Sequence, residues 1–152
     1  MPEELKRIRI LFLCTGNSCR SQMAEGWARA LQGDKIEAYS AGVDPGKLNH
    51  LAVRAMKEAG VDISKQRAKH VDEVRDLDFD FVITVCDNAR ESCPVFPAAT
   101  VKIHVGFDDP PRLAKDAGSE EEAMIHYRRV RDEIKLFVET LPDALRDLER
   151  NS

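Results

Sequence analysis

Apolar residues form four short runs along the chain, each bounded by turn-forming or charged residues. The runs at 8–14 and 81–85 are almost continuously apolar, which is typical of strands buried on both faces of a sheet. The segment 36–41 alternates between apolar and polar residues, and the last run lies at 100–105. These four segments predict four β-strands.

Apolar residues recur at helical spacing between and after these runs. Ser21 is the expected N-cap of the first predicted helix. The apolar face of that helix is predicted to consist of Met23, Trp27, Ala30 and Leu31. Further helices are predicted at 48–59, 71–77 and 119–141, and the last stops before Pro142.

The order of these elements predicts an α/β fold. Strands that alternate with helices favour one domain, residues 1–152, with a four-stranded parallel sheet and helices on both faces. Ligands of such sheets bind beyond the carboxyl ends of the strands. Cys14 and Cys86 both stand at such ends, and both are therefore candidate site residues.

Composition narrows the classes of function. The chain has 152 residues, a net charge of −4 and a pI near 5.6, so nucleic acid and anionic membranes are not expected as partners. No run approaches the roughly 18 apolar residues of a membrane span, and we expect a cytoplasmic protein with reduced thiols. Four cysteines in that setting favour catalysis, redox cycling or metal binding over structural disulfides.

The segment after the first strand has the composition of a loop that binds a tetrahedral oxyanion. Its residues are Cys14, Thr15, Gly16, Asn17, Ser18, Cys19, Arg20 and Ser21. Gly16, and also Asn17, can adopt conformations that turn backbone N–H groups inward, and the following helix adds its positive end. Arg20 can hold two oxyanion oxygens at once.

The same surroundings predict a reactive Cys14. A helix N-terminus and a neighbouring cation lower cysteine pKa values to about 3.5–7.5, and a hydrogen bond from Ser21 would add to this effect. A thiolate below a bound oxyanion is placed to attack its central atom. The alternative is a buried structural cysteine, which we would prefer for an isolated Cys. The nucleotide-binding G-x-x-x-x-G-K-[ST] pattern is absent from the sequence.

The Cys-x5-Arg-Ser pattern resembles that of the low-molecular-weight protein tyrosine phosphatase fold. The longer run CTGNSCRSQMAEGW, followed by YSAG at 39–42, is similar to the thioredoxin-coupled arsenate reductase branch of that family. The resemblance implies reduction of arsenate to arsenite, with Cys14 as nucleophile, Arg20 in the oxyanion loop and thioredoxin as the electron donor.

The resemblance also implies a relay through two further cysteines. Cys86 would form a disulfide with Cys14 and release the reduced product, and Cys93 would carry the disulfide to thioredoxin. The polar segment 87–92 between them would unwind. Cys19 matches a loop cysteine without a relay role. A zinc site built from the four cysteines is not favoured, because C-x2-C spacing is absent and no histidine lies near Cys86 or Cys93 in sequence.

The GFDDP segment matches the loop that carries the general acid of the family. The match falls on Asp109, rather than Asp108, as the group that protonates the departing oxygen. The position after His104 holds Val105, where many relatives have Trp.

Some relatives bind potassium near the oxyanion loop. Asn17, Glu25 and Ser40 match positions around that site, but Lys69 stands where an aspartate is expected. An ammonium group there can replace the ion, so we expect no potassium dependence, no metal and no tightly bound cofactor.

Two other functions remain open. The first is a phosphatase, although no tyrosine pair follows Asp109 and Pro110, and weak activity on aryl phosphates would be compatible with reductase activity. The second is a non-catalytic redox or oxyanion sensor, which would form disulfides without turnover. For the reductase we expect arsenate and thioredoxin as partners and a monomeric state.

Overall fold

The computed structural model describes residues 7–150, and it describes side chains for residues 7–147. Four parallel strands form one sheet, as the sequence predicts: β1 (Ile8–Cys14), β2 (Ile36–Gly42), β3 (Phe81–Thr84) and β4 (Val101–His104). Their order across the sheet is β2-β1-β3-β4. β1 therefore lies in the interior of the sheet, and its carboxyl end is flanked by the ends of β2 and β3.

The two faces of the sheet are packed by different parts of the chain. On the face of Ser40, the Ser40 hydroxyl donates a 2.7 Å hydrogen bond to the buried Glu25 of helix α1 (Arg20–Gln32). On the opposite face, the Tyr39 ring meets Phe79 edge-on at 5.6 Å, and Phe79 meets Phe96 at 6.5 Å. Both faces are thus covered, which explains why the residues of β1 from 10 to 13 are fully buried.

Helix α1 differs in two respects from its predicted form. Its N-cap is Cys19 and not Ser21, because the helix already begins at Arg20. Ala30 and Leu31 are exposed, whereas Met23 and Trp27 are buried as predicted. Trp27 Nε1 donates to a backbone carbonyl of helix α5 (Glu120–Glu139) at 3.1 Å, so α5 packs against the buried face of α1.

The remaining predicted helices are present with shorter bounds. Helix α2 spans His50–Glu58, because Asn49 caps it by accepting hydrogen bonds from Leu51 N and Ala52 N. A single turn of 3-10 helix at Val71–Glu73 replaces the helix predicted at 71–77. Helix α5 is capped by Ser119 and ends two residues before the predicted 141.

Three short helices were not predicted from the sequence. They are α3 (Asp87–Glu91), α4 (Pro110–Leu113) and α6 (Ala144–Arg150). The first two are too short to show an apolar period, and they follow the carboxyl ends of β3 and β4, on the site side of the sheet. Among the described residues, no helix is long and apolar enough to cross a membrane.

Candidate active site

The sheet order brings the ends of β1 and β3 together. Leu13 pairs with Thr84, and Val85 N donates to Leu13 O at 3.0 Å, so the chain leaves both strands side by side. Cys14 and Cys86 follow directly and are 4% and 6% exposed. A cavity of about 760 Å³ opens beside them, and its lining includes Thr15, Arg20, Cys86 and Asp109.

The loop after Cys14 turns its carbonyl groups outward. The carbonyls of Cys14, Thr15, Gly16 and Ser18 accept hydrogen bonds of 2.9–3.1 Å from backbone N–H groups in the segment 43–49. With these carbonyls held on the outside, the N–H groups of the loop are free to point inward, where an oxyanion would sit. The sequence pattern of this supporting segment gave no sign of such a role.

Asn17, rather than Gly16, adopts the left-handed backbone conformation of the loop, with φ +50°. Three hydrogen bonds hold this fully buried residue. Its Nδ2 donates to Ser21 Oγ at 2.8 Å, its Oδ1 accepts from Lys69 N at 3.0 Å, and its carbonyl accepts from Gln22 Nε2 at 2.8 Å. These contacts offset the strain of a positive φ at a non-glycine residue.

Gly42, at the end of β2, is required by the close approach of the loop. A Cβ at this position would lie 2.5 Å from Thr15 O and 3.0 Å from Asn17 N. Both are backbone atoms that cannot turn away. The glycine of the YSAG segment therefore allows the oxyanion loop to pack directly on the neighbouring strand.

Arg20 and Asp109 meet at the rim of the cavity. Arg20 Nη1 donates to Phe107 O at 2.9 Å, and Nη2 lies 3.7 Å from Asp109 Oδ1. Arg20 Nε is buried and has no hydrogen-bond partner among the described residues. A buried guanidinium N–H without a partner is a donor suited to an anionic ligand. Asp108 instead pairs with Arg129 of α5 at 2.9 Å, so the two adjacent acids point to different partners.

The thiols of Cys14 and Cys86 share one negative charge, and the pKa of Cys14 is raised, contrary to the expectation of a lowered value. The pKa of Cys14 is raised, first because its thiol donates to Cys86 and second because it is buried; the charge of Arg20 opposes this. The pKa of Cys86 is lowered to about 5, chiefly by the hydrogen bond from Cys14 and further by donors at Thr15 and Ala89. The pair thus readily holds one thiolate, and two are disfavoured.

Cys86 also caps the short helix α3. Its Sγ accepts from Ala89 N at 3.4 Å and lies 3.2 Å from Thr15 Oγ1. The next residue, Asp87, has its Oδ1 3.2 Å from His104 Nε2, and the other ring nitrogen of His104 lies 2.8 Å from Thr84 Oγ1. The sequence analysis assigned His104 no role, and here it ties the first turn of α3 to the sheet.

Cys93 and Cys19 lie outside this pair. Cys93 follows the end of α3 and is partly exposed, and burial raises its pKa, with an opposing contribution from Lys102. Cys19 is buried at the start of α1, and burial is also the main cause of its raised pKa.

The residues that match the potassium site include Glu25, which is paired with Arg29, while Lys69 Nζ donates to Arg67 O at 3.2 Å. The carboxylate of Glu25 is buried, accepts from Ser40 Oγ and pairs with Arg29 at 3.2 Å. Glu25, Arg29 and Lys69 line one cavity of about 510 Å³, and burial lowers the pKa of Lys69 while the charge of Glu25 opposes that shift. The expected independence from potassium stays a prediction. Among the described residues, no group of three or more His, Cys, Asp or Glu side chains is placed to hold a metal.

Comparisons with known proteins show the family and the fold of this chain. The sequence model of the family described as low molecular weight phosphotyrosine protein phosphatase matches residues 9–151. An arsenate reductase of Bacillus licheniformis is 51% identical over 135 residues, and one of Halalkalibacterium halodurans is 49% identical over 135; each match covers 86% of this chain and 95% of the relative. A solved arsenate reductase in the phosphate binding state superposes with a TM-score of 0.69 at 31% identity, covering 88% of this chain and 95% of the other.

Proposed function

The chain belongs to the low molecular weight phosphotyrosine protein phosphatase family, and we propose that it acts within this family as an arsenate reductase. The observation that carries the proposal is the second thiol: Cys86 follows the strand end beside that of Cys14, and its Sγ lies 3.2 Å from Thr15 Oγ1 of the oxyanion loop. Hydrolysis of a phosphate ester needs one cysteine nucleophile, whereas reduction needs a second thiol to supply electrons.

In the first step the loop and Arg20 bind arsenate, and the Cys14 thiolate attacks arsenic. Because the pair shares one negative charge, Cys86 takes up the proton of Cys14 as the Cys14 sulfur attacks. One arsenic–oxygen bond breaks, and the hydroxyl leaves as water with a proton from Asp109. Asp109 lines the same cavity as Arg20, which brings its carboxyl close to an oxyanion held by that arginine.

In the second step the Cys86 thiolate attacks Cys14 Sγ. The sulfur–arsenic bond breaks and its electron pair stays on arsenic, so As(V) becomes As(III) and leaves as arsenite. The two thiols are oxidised to the Cys14–Cys86 disulfide. Once Cys14 is bonded to arsenic, Cys86 releases its proton to solvent, and Thr15 Oγ1 at 3.2 Å and Ala89 N at 3.4 Å remain beside its sulfur as donors that favour the ionised form.

In the third step Cys93 attacks Cys86 Sγ, and Cys14 leaves as a thiolate. Helix α3 separates the two residues, and seven residues of helix would span about 10 Å. A disulfide requires Cα atoms within about 7 Å. The α3 segment must therefore unwind, which brings the new Cys86–Cys93 disulfide outward to a dithiol donor. We propose reduced thioredoxin as that donor, in the cytoplasm, and the protein acting as a monomer.

The phosphatase alternative uses the same loop, Arg20 and Asp109. Residues after Asp109 are Pro110, Pro111 and Arg112, so the aromatic wall expected for a phosphotyrosine ring is absent from this segment. We propose at most weak activity on aryl phosphates.

Arsenate-dependent oxidation of NADPH, coupled through thioredoxin and thioredoxin reductase, tests the proposal. The comparison is wild type against Cys93→Ser, with Ser92→Ala as the control for the same exposed segment. Sustained turnover in wild type and in Ser92→Ala, but a single turnover in Cys93→Ser, is expected. Multiple turnover in Cys93→Ser would remove Cys93 from the relay. Absence of any arsenate-dependent oxidation of NADPH would favour the phosphatase function. Stoichiometric disulfide formation without turnover would favour the sensor function.

A further inference from the structure

Asn88 lies in the first turn of helix α3 and contacts the oxyanion loop across the cavity. Its Nδ2 is 3.0 Å from Thr15 Oγ1, although the two residues are 73 positions apart in the sequence. Thr15 Oγ1 in turn lies 3.2 Å from Cys86 Sγ. The three side chains form a chain of polar atoms that ends on a reactive sulfur.

The direction of these hydrogen bonds follows from the donors that are available. A threonine hydroxyl has one hydrogen to donate. Because the Asn88 amide donates to Thr15 Oγ1, that hydrogen is free to point at Cys86 Sγ. The sulfur then accepts from the Thr15 hydroxyl as well as from Ala89 N and the Cys14 thiol, and a sulfur that only accepts is stabilised as a thiolate.

An amide is required at position 88 for this arrangement. A carboxylate of the same shape has no hydrogen to donate, and it would accept the Thr15 hydroxyl hydrogen itself. The sulfur of Cys86 would then lose a donor, although every heavy atom remained in place. The identity of one atom at position 88 therefore decides which way the Thr15 hydroxyl points.

We propose that Asn88 is a positioning residue that directs the Thr15 hydroxyl onto Cys86 and so maintains the ionised form of that sulfur. This inference rests on the proposed relay role of Cys86 for its importance in turnover. The orientation itself is independent of that role and can be measured on the thiol.

The experiment follows the alkylation of Cys86 by iodoacetamide between pH 4 and pH 9. Initial rates are resolved by peptide mass spectrometry in the full chain, for wild type and Asn88→Asp. Losing a hydrogen bond to a charged sulfur is expected to raise the midpoint of the pH profile by about one unit, which is a tenfold loss of thiolate below the midpoint. Asn88→Ala, which removes the donor without adding an acceptor, is expected to show a smaller shift.

A double-mutant cycle with Thr15→Val separates hydrogen-bond direction from the added negative charge. In the Thr15→Val background, Asn88→Asp is expected to move the midpoint by half as much or less, whereas in Thr15→Ser the full shift should return. Equal shifts in the wild-type, Thr15→Val and Thr15→Ser backgrounds, or no shift in any of them, would overturn the proposal. Thermal melts identify variants that do not fold. Arsenate turnover is recorded separately, so loss of the reductase function is not confused with failure of this inference.

Discussion

Replacement of Gly42 by alanine tests how closely the oxyanion loop is packed on strand β2. The new Cβ would lie 2.5 Å from Thr15 O and 3.0 Å from Asn17 N. Carbon and oxygen atoms normally remain more than about 3.2 Å apart, so the backbone of the loop or strand must move by roughly 0.7 Å. Neither side moves easily, since Val43 N and Asp44 N donate to Cys14 O and Thr15 O at the same place.

The expected cost has a stability part and an activity part. Overpacking against backbone lowers the free energy of unfolding by about 1–3 kcal/mol. For a chain of this size, each kcal/mol lowers the thermal midpoint by about 2–4 °C. A cost of about 2 kcal/mol is therefore expected to lower the midpoint by roughly 4–8 °C. Displacement of the loop amides by a large fraction of an ångström is expected to lower kcat/KM for arsenate by up to about 100-fold.

Gly46→Ala is the matched control in the same segment. Its Cβ meets no atom within 4 Å, and its N–H still donates to Gly16 O. Circular-dichroism melts and the coupled arsenate assay are measured on both variants. If Gly42→Ala unfolds within 1 °C of wild type and retains activity within threefold, the argument from close packing is wrong.

Two further predictions follow from the charged groups of the site. Arg20→Lys removes the guanidinium, whose Nη1 contacts Phe107 O and whose buried Nε has no partner among the described residues. The loss of one or two charge-assisted hydrogen bonds to arsenate costs about 3 kcal/mol. This cost corresponds to a roughly 100-fold lower kcat/KM for arsenate. Arg112→Lys, at an exposed position of the same cavity, is the control and should stay within threefold of wild type; similar losses in both variants would contradict a specific role of the guanidinium at Arg20. Because Arg29 and Lys69 already flank Glu25, the thermal midpoint is expected to be the same in potassium chloride and choline chloride at equal ionic strength, as measured by calorimetry. A midpoint more than 2 °C higher in potassium would show that the ion binds after all.

The limits of sequence-based prediction are clearest in helix α1 and in the thiol pair. Helical periodicity predicted the direction of the buried face, and Met23 and Trp27 lie on it. It did not predict which residues at the end of that face are exposed: Leu31 was wrongly expected to be buried, although Gln32 beside it contacts the last turn of α5. The lowered pKa was assigned to Cys14 because the loop supplies local positive potential, whereas the hydrogen bond to Cys86 decides how the pair shares its charge.

The sequence by itself determined the features that depend on neighbours along the chain. Continuous apolar runs specify buried strands, and the segment from Cys14 to Ser21 contains its own turn residues, cation and helix start. Only the tertiary structure decided the features that depend on which strand ends become neighbours. The order β2-β1-β3-β4 brings Thr15 to Cys86 and Gly42 to the loop, and it turns Asp109, rather than Asp108, toward Arg20. Such contacts join residues tens of positions apart, and no local pattern encodes them because they arise when the whole core packs at once.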